Sequence, residues 1–155
     1  MMETQVTAMD DIVEQLPYQS PFLFVDALTS ISDEGVEGHY TLKENEFFYA
    51  GHFPGNPVTP GVILTEISAQ IGLVSLGIFL LKPSNDKAVV PVFSSANMDF
   101  LKPVYPGEKV IVKSVKQYFR FGKLKCSVEM INEADEVVCK GELSGMVMMK
   151  GGGHA

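Results

Sequence analysis

Basic residues are in deficit in this 155-residue chain: 12 Lys and Arg stand against 19 Asp and Glu, for a formal net charge of −7. A surface of that sign repels polyanions, which argues against a nucleic-acid partner. Histidine is scarce as well. His39, His52 and His154 are scattered and no CxxC occurs, so the sequence offers no metal-binding cluster. Cysteine is limited to Cys126 and Cys139, both in segments of strand-like alternation. Their spacing permits a bridge between neighbouring strands, but reduced core thiols are the simpler reading for a cytosolic chain. The first eleven residues carry acids and lack the basic start of a secretory signal, which assigns the chain to the cytoplasm by default.

What the chain does have is apolar content. A hydrophobic share of 46% against 20% charged is enough for a buried core, and the length fits one domain. That domain is expected over 1–155, ordered across 8–149, with the glycine-rich 150–155 as a tail. The longest apolar run, Val62 to Leu81, predicts a helix of about five turns. It is apolar nearly all the way round, which places it in a core or a membrane. A span needs about 20 such residues. Here, however, Glu66 and Gln70 would lie in hydrocarbon, and the flanks lack an aromatic belt and basic cluster. A buried helix and no membrane is therefore the expectation.

Around that helix the pattern is mostly strand. Asp10-Asp11 caps a short helix through Leu16, closed by Pro17. Phe22 to Ile31 and Val36 to Leu42 read as a hairpin across Asp33-Glu34-Gly35, and Asn45 to Ala50 as an irregular aromatic link. Lys82 to Lys87 is a loop on composition. Four strands follow: Ala88 to Phe100, Lys109 to Phe119, Lys123 to Ile131 and Glu136 to Met149. This is an α+β arrangement. A helix apolar on every side needs cover on every side, from a curled antiparallel sheet and then from a second copy of the chain. A homodimer or larger assembly is expected.

The stretch that carries chemistry is Gly51-His52-Phe53-Pro54-Gly55-Asn56-Pro57-Val58-Thr59-Pro60-Gly61. Three prolines fix their own φ and restrict the residue before each, so the loop holds its shape without packing. Pro60 suits the start of a helix. Glu66 and Gln70 are spaced i,i+4 and share one face of that helix. Histidine is the side chain best suited to act as a base near neutral pH. A glutamate against apolar walls is pushed toward its protonated form. One neutral base and one neutral acid can remove water from a substrate that carries a hydroxyl β to a carbonyl. The outward N–H groups of Gly61 and Val62 would polarise that carbonyl. On the residues alone a second account stands equally well: His52 hydrogen-bonds within its loop, and Glu66 pairs with the Gln70 amide.

The segments Leu16 to Asp26 (LPYQSPFLFVD), Gly51 to Val62 (GHFPGNPVTPGV) and Glu66 to Gln70 (EISAQ) stand in one register with Phe100 to Val104 (FLKPV) and Pro106-Gly107. Together they resemble the 3-hydroxyacyl-acyl-carrier-protein dehydratases of fatty acid synthesis, the FabZ type, over residues 10–148. The resemblance implies a hot-dog fold, in which a curved antiparallel sheet wraps a long central helix. It implies a homodimer with a continuous sheet, and in some members a trimer of dimers. It further implies that His52 and Glu66 are the catalytic pair, supplied by different subunits. The Val58 carbonyl would orient the His52 ring, the Gly61 N–H beside Val62 would bind the thioester carbonyl, and Gln70 would support Glu66. The substrate would ride on the phosphopantetheine of acyl carrier protein, with no metal or other cofactor. For the acyl tunnel at the dimer interface, polarity offers Phe22, Phe24, Ile71, Val74 and Phe93.

Departures from the family pattern are Tyr18-Gln19, where His-Arg is usual, and Asp99, where a basic residue is common. They leave the carrier contact open and admit a specialised, polyene-type pathway. A thioesterase on the same scaffold and a non-catalytic carrier-binding module are the other readings. Seven of the 12 basic residues fall between Lys102 and Lys125. Within that strip Lys102, Lys113, Lys116 and Arg120 are candidates to meet an acidic carrier, unless the strip is merely a solvated strand face.

Overall fold

The computed structural model describes residues 2–82 and 89–149, with side chains from Ala8 onward. Most of the expected 82–87 loop, the strand start at Ala88, and the 150–155 tail with His154 lie outside the described residues. Helix α1 (Met2–Gln15) begins earlier than the Asp10 start expected. Met9 and Ile12, with Leu16 just past the helix end, form a buried stripe, and α1 packs toward β1 (Ala27–Ser32) and the end of the central helix.

β1 and β2 (Gly35–Thr41) form the first hairpin. β3 (Val89–Phe100), β4 (Lys109–Arg120), β5 (Lys123–Asn132) and β6 (Val137–Met149) complete one six-stranded antiparallel sheet in the order β1-β2-β4-β5-β6-β3. Alternation decides which side faces in. Val110, Val112 and Ser114 of β4, with Leu124, Cys126, Val128 and Met130 of β5, are buried. Cys126 stands opposite Leu143 and Cys139 opposite Met130, so the two cysteines are out of register and remain free thiols. Burial pushes both up to about 11.

The sheet curls around a central helix made of α2 (Gly61–Ala69), a π-helical stretch (Gln70–Val74) and α3 (Ser75–Leu81). The whole, Gly61–Leu81, is long and apolar enough to cross a membrane, but 78% of its most apolar window is buried inside the fold. Ile67, Ile71, Leu76 and Ile78 are all 1% exposed or less. The sequence predicts an uninterrupted α-helix here, and the π stretch is a correction to it. The wider turn is held by side chains: Ser75 Oγ donates to the Gln70 carbonyl at 2.8 Å, and Ser114 Oγ of β4 donates to the Gly72 carbonyl at 2.8 Å. At Gly72 the sheet comes so close that a Cβ would stand 3.0 Å from both Ser114 and Val128 side chains.

A second correction concerns Phe22 to Asp26, which the alternation places in a strand and the structure does not. The segment's first part bonds to the central helix instead of to a strand: the Gln70 amide accepts from Phe24 N at 2.8 Å and donates to Phe22 O at 2.9 Å. Asp26 alone of this segment reaches β2, its N–H donating to the His39 carbonyl at 2.9 Å. At the far side of the sheet β3 is an outer strand. Its apolar residues Val90, Val92, Phe93 and Phe100 are exposed, an edge that a soluble protein rarely leaves bare.

Candidate active site

The His52 loop is tied together by its own backbone. Val58 N donates to His52 O at 2.9 Å, Asn56 N to Phe53 O at 2.8 Å, and Thr59 N reaches across to Val104 O at 2.8 Å. Beneath it, Tyr49 Oη and Thr59 Oγ1, both on buried residues, lie 2.6 Å apart. The His52 ring stacks on Phe53 with centroids 4.3 Å apart. Its Nδ1 is 3.0 Å from the Val58 carbonyl. A carbonyl only accepts, so Nδ1 carries the proton and Nε2 is left with a free lone pair. That is the form in which an imidazole acts as a base.

Pro60 ends the loop and its carbonyl opens α2, accepting from Ile63 N at 2.9 Å and Leu64 N at 3.1 Å. No side chain caps this start, and among the described residues the Gly61 and Val62 N–H groups find no acceptor. Val62 is 76% exposed. Gly61 lies against Phe100, whose ring a Cβ would meet at 3.3 Å. These two N–H groups sit at the positive end of the helix beside a cavity of about 270 Å³ lined by Gly61, Phe100, Leu101 and Lys102.

Glu66 is half-buried one turn further along, facing elsewhere. Its carboxylate accepts from Gln70 Nε2 at 2.9 Å, the same amide that holds Phe22 and Phe24. Burial raises its pKa above the ordinary carboxyl value, and the Gln70 hydrogen bond offsets part of that. Glu66 lines an apolar cavity of about 50 Å³ with Tyr18, Ala69, Leu73, Val74, Pro91, Val92, Phe93 and Gly145 to Val147. Of the expected tunnel residues, Val74 and Phe93 line this cavity. Phe24 and Ile71 are fully buried in the core, and Phe22 packs edge-on against Phe24 with centroids 4.9 Å apart. Polarity alone does not separate a core ring from a cavity wall. Of the walls missed in the sequence, Ala69 and Leu73 share the helix of Glu66, whereas Tyr18, Pro91-Val92 and Gly145 to Val147 reach it only through tertiary folding.

Within one chain, His52 and Glu66 do not meet. Among the described residues no hydrogen bond or ion pair joins them, and His52 is not among the walls of the Glu66 cavity. The basic residues are not gathered either. Lys102 pairs with Glu136 at 3.3 Å. Lys113 occupies a cross-strand row of alternating charge, Glu37–Lys113–Glu129–Lys140–Asp99. Lys116 stands opposite the buried Cys126. Arg120 lies 4.4 Å over the Tyr118 ring and opposite Lys123, next to Phe121, which is 98% exposed. Among the described residues no group of three or more His, Cys, Asp or Glu side chains is placed to hold a metal ion.

Comparison with known proteins places this geometry. The family model of the FabA-like domain matches residues 16–143. A 3-hydroxyacyl-[acyl-carrier-protein] dehydratase FabZ of Caldicellulosiruptor saccharolyticus is 37% identical over 138 residues, 85% of this chain and 92% of the relative. The protein of the same name from Chlamydia trachomatis serovar L2 is 34% identical over 152 residues, 97% of this chain and 98% of its own length. Among solved structures, the dehydratase heterocomplex ApeI:P of Xenorhabdus doucetiae superposes with a TM-score of 0.73 at 14% identity, covering 90% of this chain and 91% of that one. A thioesterase of Haemophilus influenzae does so with 0.60 at 18%, covering 83% and 82%. At those identities the structures establish the hot-dog fold and nothing finer. The family match and the relatives along nearly the whole length establish more: this chain belongs to the FabA-like family, in its FabZ-type dehydratase branch.

Proposed function

We propose that this chain removes water from (3R)-hydroxyacyl groups on acyl carrier protein to give trans-2-enoyl groups, with His52 as base and Glu66 as acid. The observation that carries this reading is the division of the site. One chain holds a base with a free lone pair on a stiff loop beside a helix N-terminus, and an acid whose pKa burial raises in a separate apolar cavity. Neither half is complete alone. In a dimer joined along the bare edge of β3, the loop of one chain closes the Glu66 cavity of its partner, whose wall includes Val92 and Phe93 of that same strand.

The chemistry follows from the two environments. His52 Nε2 takes the proton from the carbon next to the thioester carbonyl. The electron pair of that C–H bond forms the new double bond, and the C–O bond to the 3-hydroxyl breaks. Glu66 gives its proton to the departing oxygen, which leaves as water. The N–H of Gly61, with that of Val62 beside it, stabilises the charge that builds on the carbonyl oxygen. Proton exchange with solvent resets the pair. No group beyond the phosphopantetheine that carries the substrate enters these steps. Lys102, at the rim of the Gly61 cavity, is the best placed of the basic residues to meet the carrier. Arg120 with Lys123 is next, and Lys113 and Lys116 follow. A cytoplasmic location and assembly into a trimer of dimers accord with this role.

Mixing two inactive variants tests the division. His52→Ala and Glu66→Gln are each expected to be inactive as homodimers. If each site draws on two chains, refolding them together gives hybrids with one intact site, and activity returns to about a quarter of the parent. No recovery, despite hybrid formation seen by native mass spectrometry, would mean that both residues act within one chain. A free thiol released from acyl thioesters would instead report thioesterase activity.

A further inference from the structure

Tyr18 follows Pro17 at the end of α1 and is one of the residues at which the chain departs from its family's usual pattern. The fold turns its half-buried ring toward the catalytic cavity, 6.5 Å from the Phe22 ring. Eleven residues line that cavity, and only Tyr18 and Glu66 among them carry oxygen or nitrogen in the side chain. Among the described residues the Tyr18 hydroxyl has no hydrogen-bond partner, whereas the Glu66 carboxylate is already engaged by Gln70. The cavity therefore has one polar corner, made of a carboxyl and an unengaged phenol, in otherwise apolar walls.

Its volume fits what must pass through it. A water needs roughly 10–15 Å³ of such space and two or more polar partners. The cavity offers about 50 Å³, and its polar corner supplies two partners. Burial pushes the Tyr18 phenol up to about 12, and Glu66 pushes the same way whenever it is ionised, so the phenol stays an O–H donor at any working pH.

Resting on the dehydratase reading above, we infer that Tyr18 is a further substrate-contacting residue: its phenol donates a hydrogen bond to the 3-hydroxyl oxygen that Glu66 protonates. The phenol keeps its own proton throughout. It holds the oxygen against the carboxyl and shares the charge that gathers there as the C–O bond lengthens. That interaction grows toward the transition state, so its loss falls on kcat more than on KM.

Tyr18→Phe removes one oxygen and leaves the ring in place. With a 3-hydroxybutyryl thioester on carrier protein, we expect kcat to fall about 10-fold and KM to stay within about twofold. Tyr18→His, which restores a donor of different shape, recovers part of the loss. A kcat within about twofold of the parent overturns the inference and leaves the ring as a wall. Binding gives a second measurement that does not depend on turnover. In the Glu66→Gln protein, adding Tyr18→Phe weakens a 3-hydroxybutyryl thioester about 5-fold and leaves the butyryl thioester unchanged. Equal weakening of both ligands also overturns it. His52→Ala and Glu66→Gln assayed alongside separate the two levels. If they lose dehydration and Tyr18→Phe does not, only the phenol's role fails, whereas if they keep it, the dehydratase mechanism fails first.

Discussion

The His52 loop and the Glu66 cavity hold two groups to opposite requirements by opposite means. The loop is exposed, and its shape comes from prolines and from backbone hydrogen bonds at 2.8 to 2.9 Å. The cavity is apolar, and its shape comes from packed side chains on the central helix, β3 and β6. A base that gains a charge works best where water can solvate that charge, whereas an acid that must arrive protonated is helped by surroundings that disfavour its charged form. The lesson is that placement on the fold gives each group its own surroundings. The loop leaves the imidazole half-buried with one nitrogen already engaged by Val58, and the helix carries the carboxyl into a region that disfavours its charge.

The largest effect comes from removing either group. His52→Ala and Glu66→Gln should each cost about 10² to 10⁴ in kcat, followed by the absorbance of the enoyl thioester, with melting temperatures showing the folds intact. A loss confined to one of the two would break the symmetry of the comparison. A subtler consequence falls on stability. The folded chain holds the Glu66 proton above the ordinary value of 4.5, at which the unfolded chain releases it. Stability therefore falls as pH rises from that value toward the raised folded pKa, and it is highest below. Glu66→Gln carries no such proton. Its melting temperature relative to the parent should be higher at pH 7 than at pH 4. An offset that is the same at both would show that the cavity does not disfavour the charge.

Most of this architecture is legible in the sequence because its causes are local. The alternation of Leu124, Cys126, Val128 and Met130 marks β5, and the unbroken apolar run marks the central helix. The His52 loop is legible for the same reason, since proline and glycine act on their own backbone. What escaped the reading has causes elsewhere in the fold. The π stretch depends on Ser114 of β4 reaching the Gly72 carbonyl, and no pattern within the helix announces it. Phe22 to Phe24 alternates like a strand, and nothing local shows that its backbone partner is the Gln70 amide, 46 residues away from Phe24. The basic strip on β4 looks continuous in one dimension, but neighbouring strands set Glu37 and Glu129 on either side of Lys113. The separation of His52 from Glu66, the pair proposed to act together, is of the same kind, because the two are close in sequence and folding holds them apart within one chain.

The smallest test asks whether the loop is as stiff as its hydrogen bonds imply. Tyr49 and Thr59 are buried at the two ends of the His52 loop, and their hydroxyls are 2.6 Å apart. Tyr49→Phe leaves the Thr59 hydroxyl without that partner and should cost about 1 kcal/mol in urea unfolding. If the loop is held by such contacts and not by packing, the same change lets the His52 ring wander. A displacement of about 1 Å is enough to slow the chemistry, so kcat should fall severalfold. Thr59→Ser keeps the hydroxyl and removes only a methyl, and it should leave kcat near that of the parent. A loss of stability without a loss of rate would mean that Val58 and the prolines hold the ring alone. A loss of rate in both variants would mean that the Thr59 methyl matters as well, and that the loop leans on packing as the cavity does.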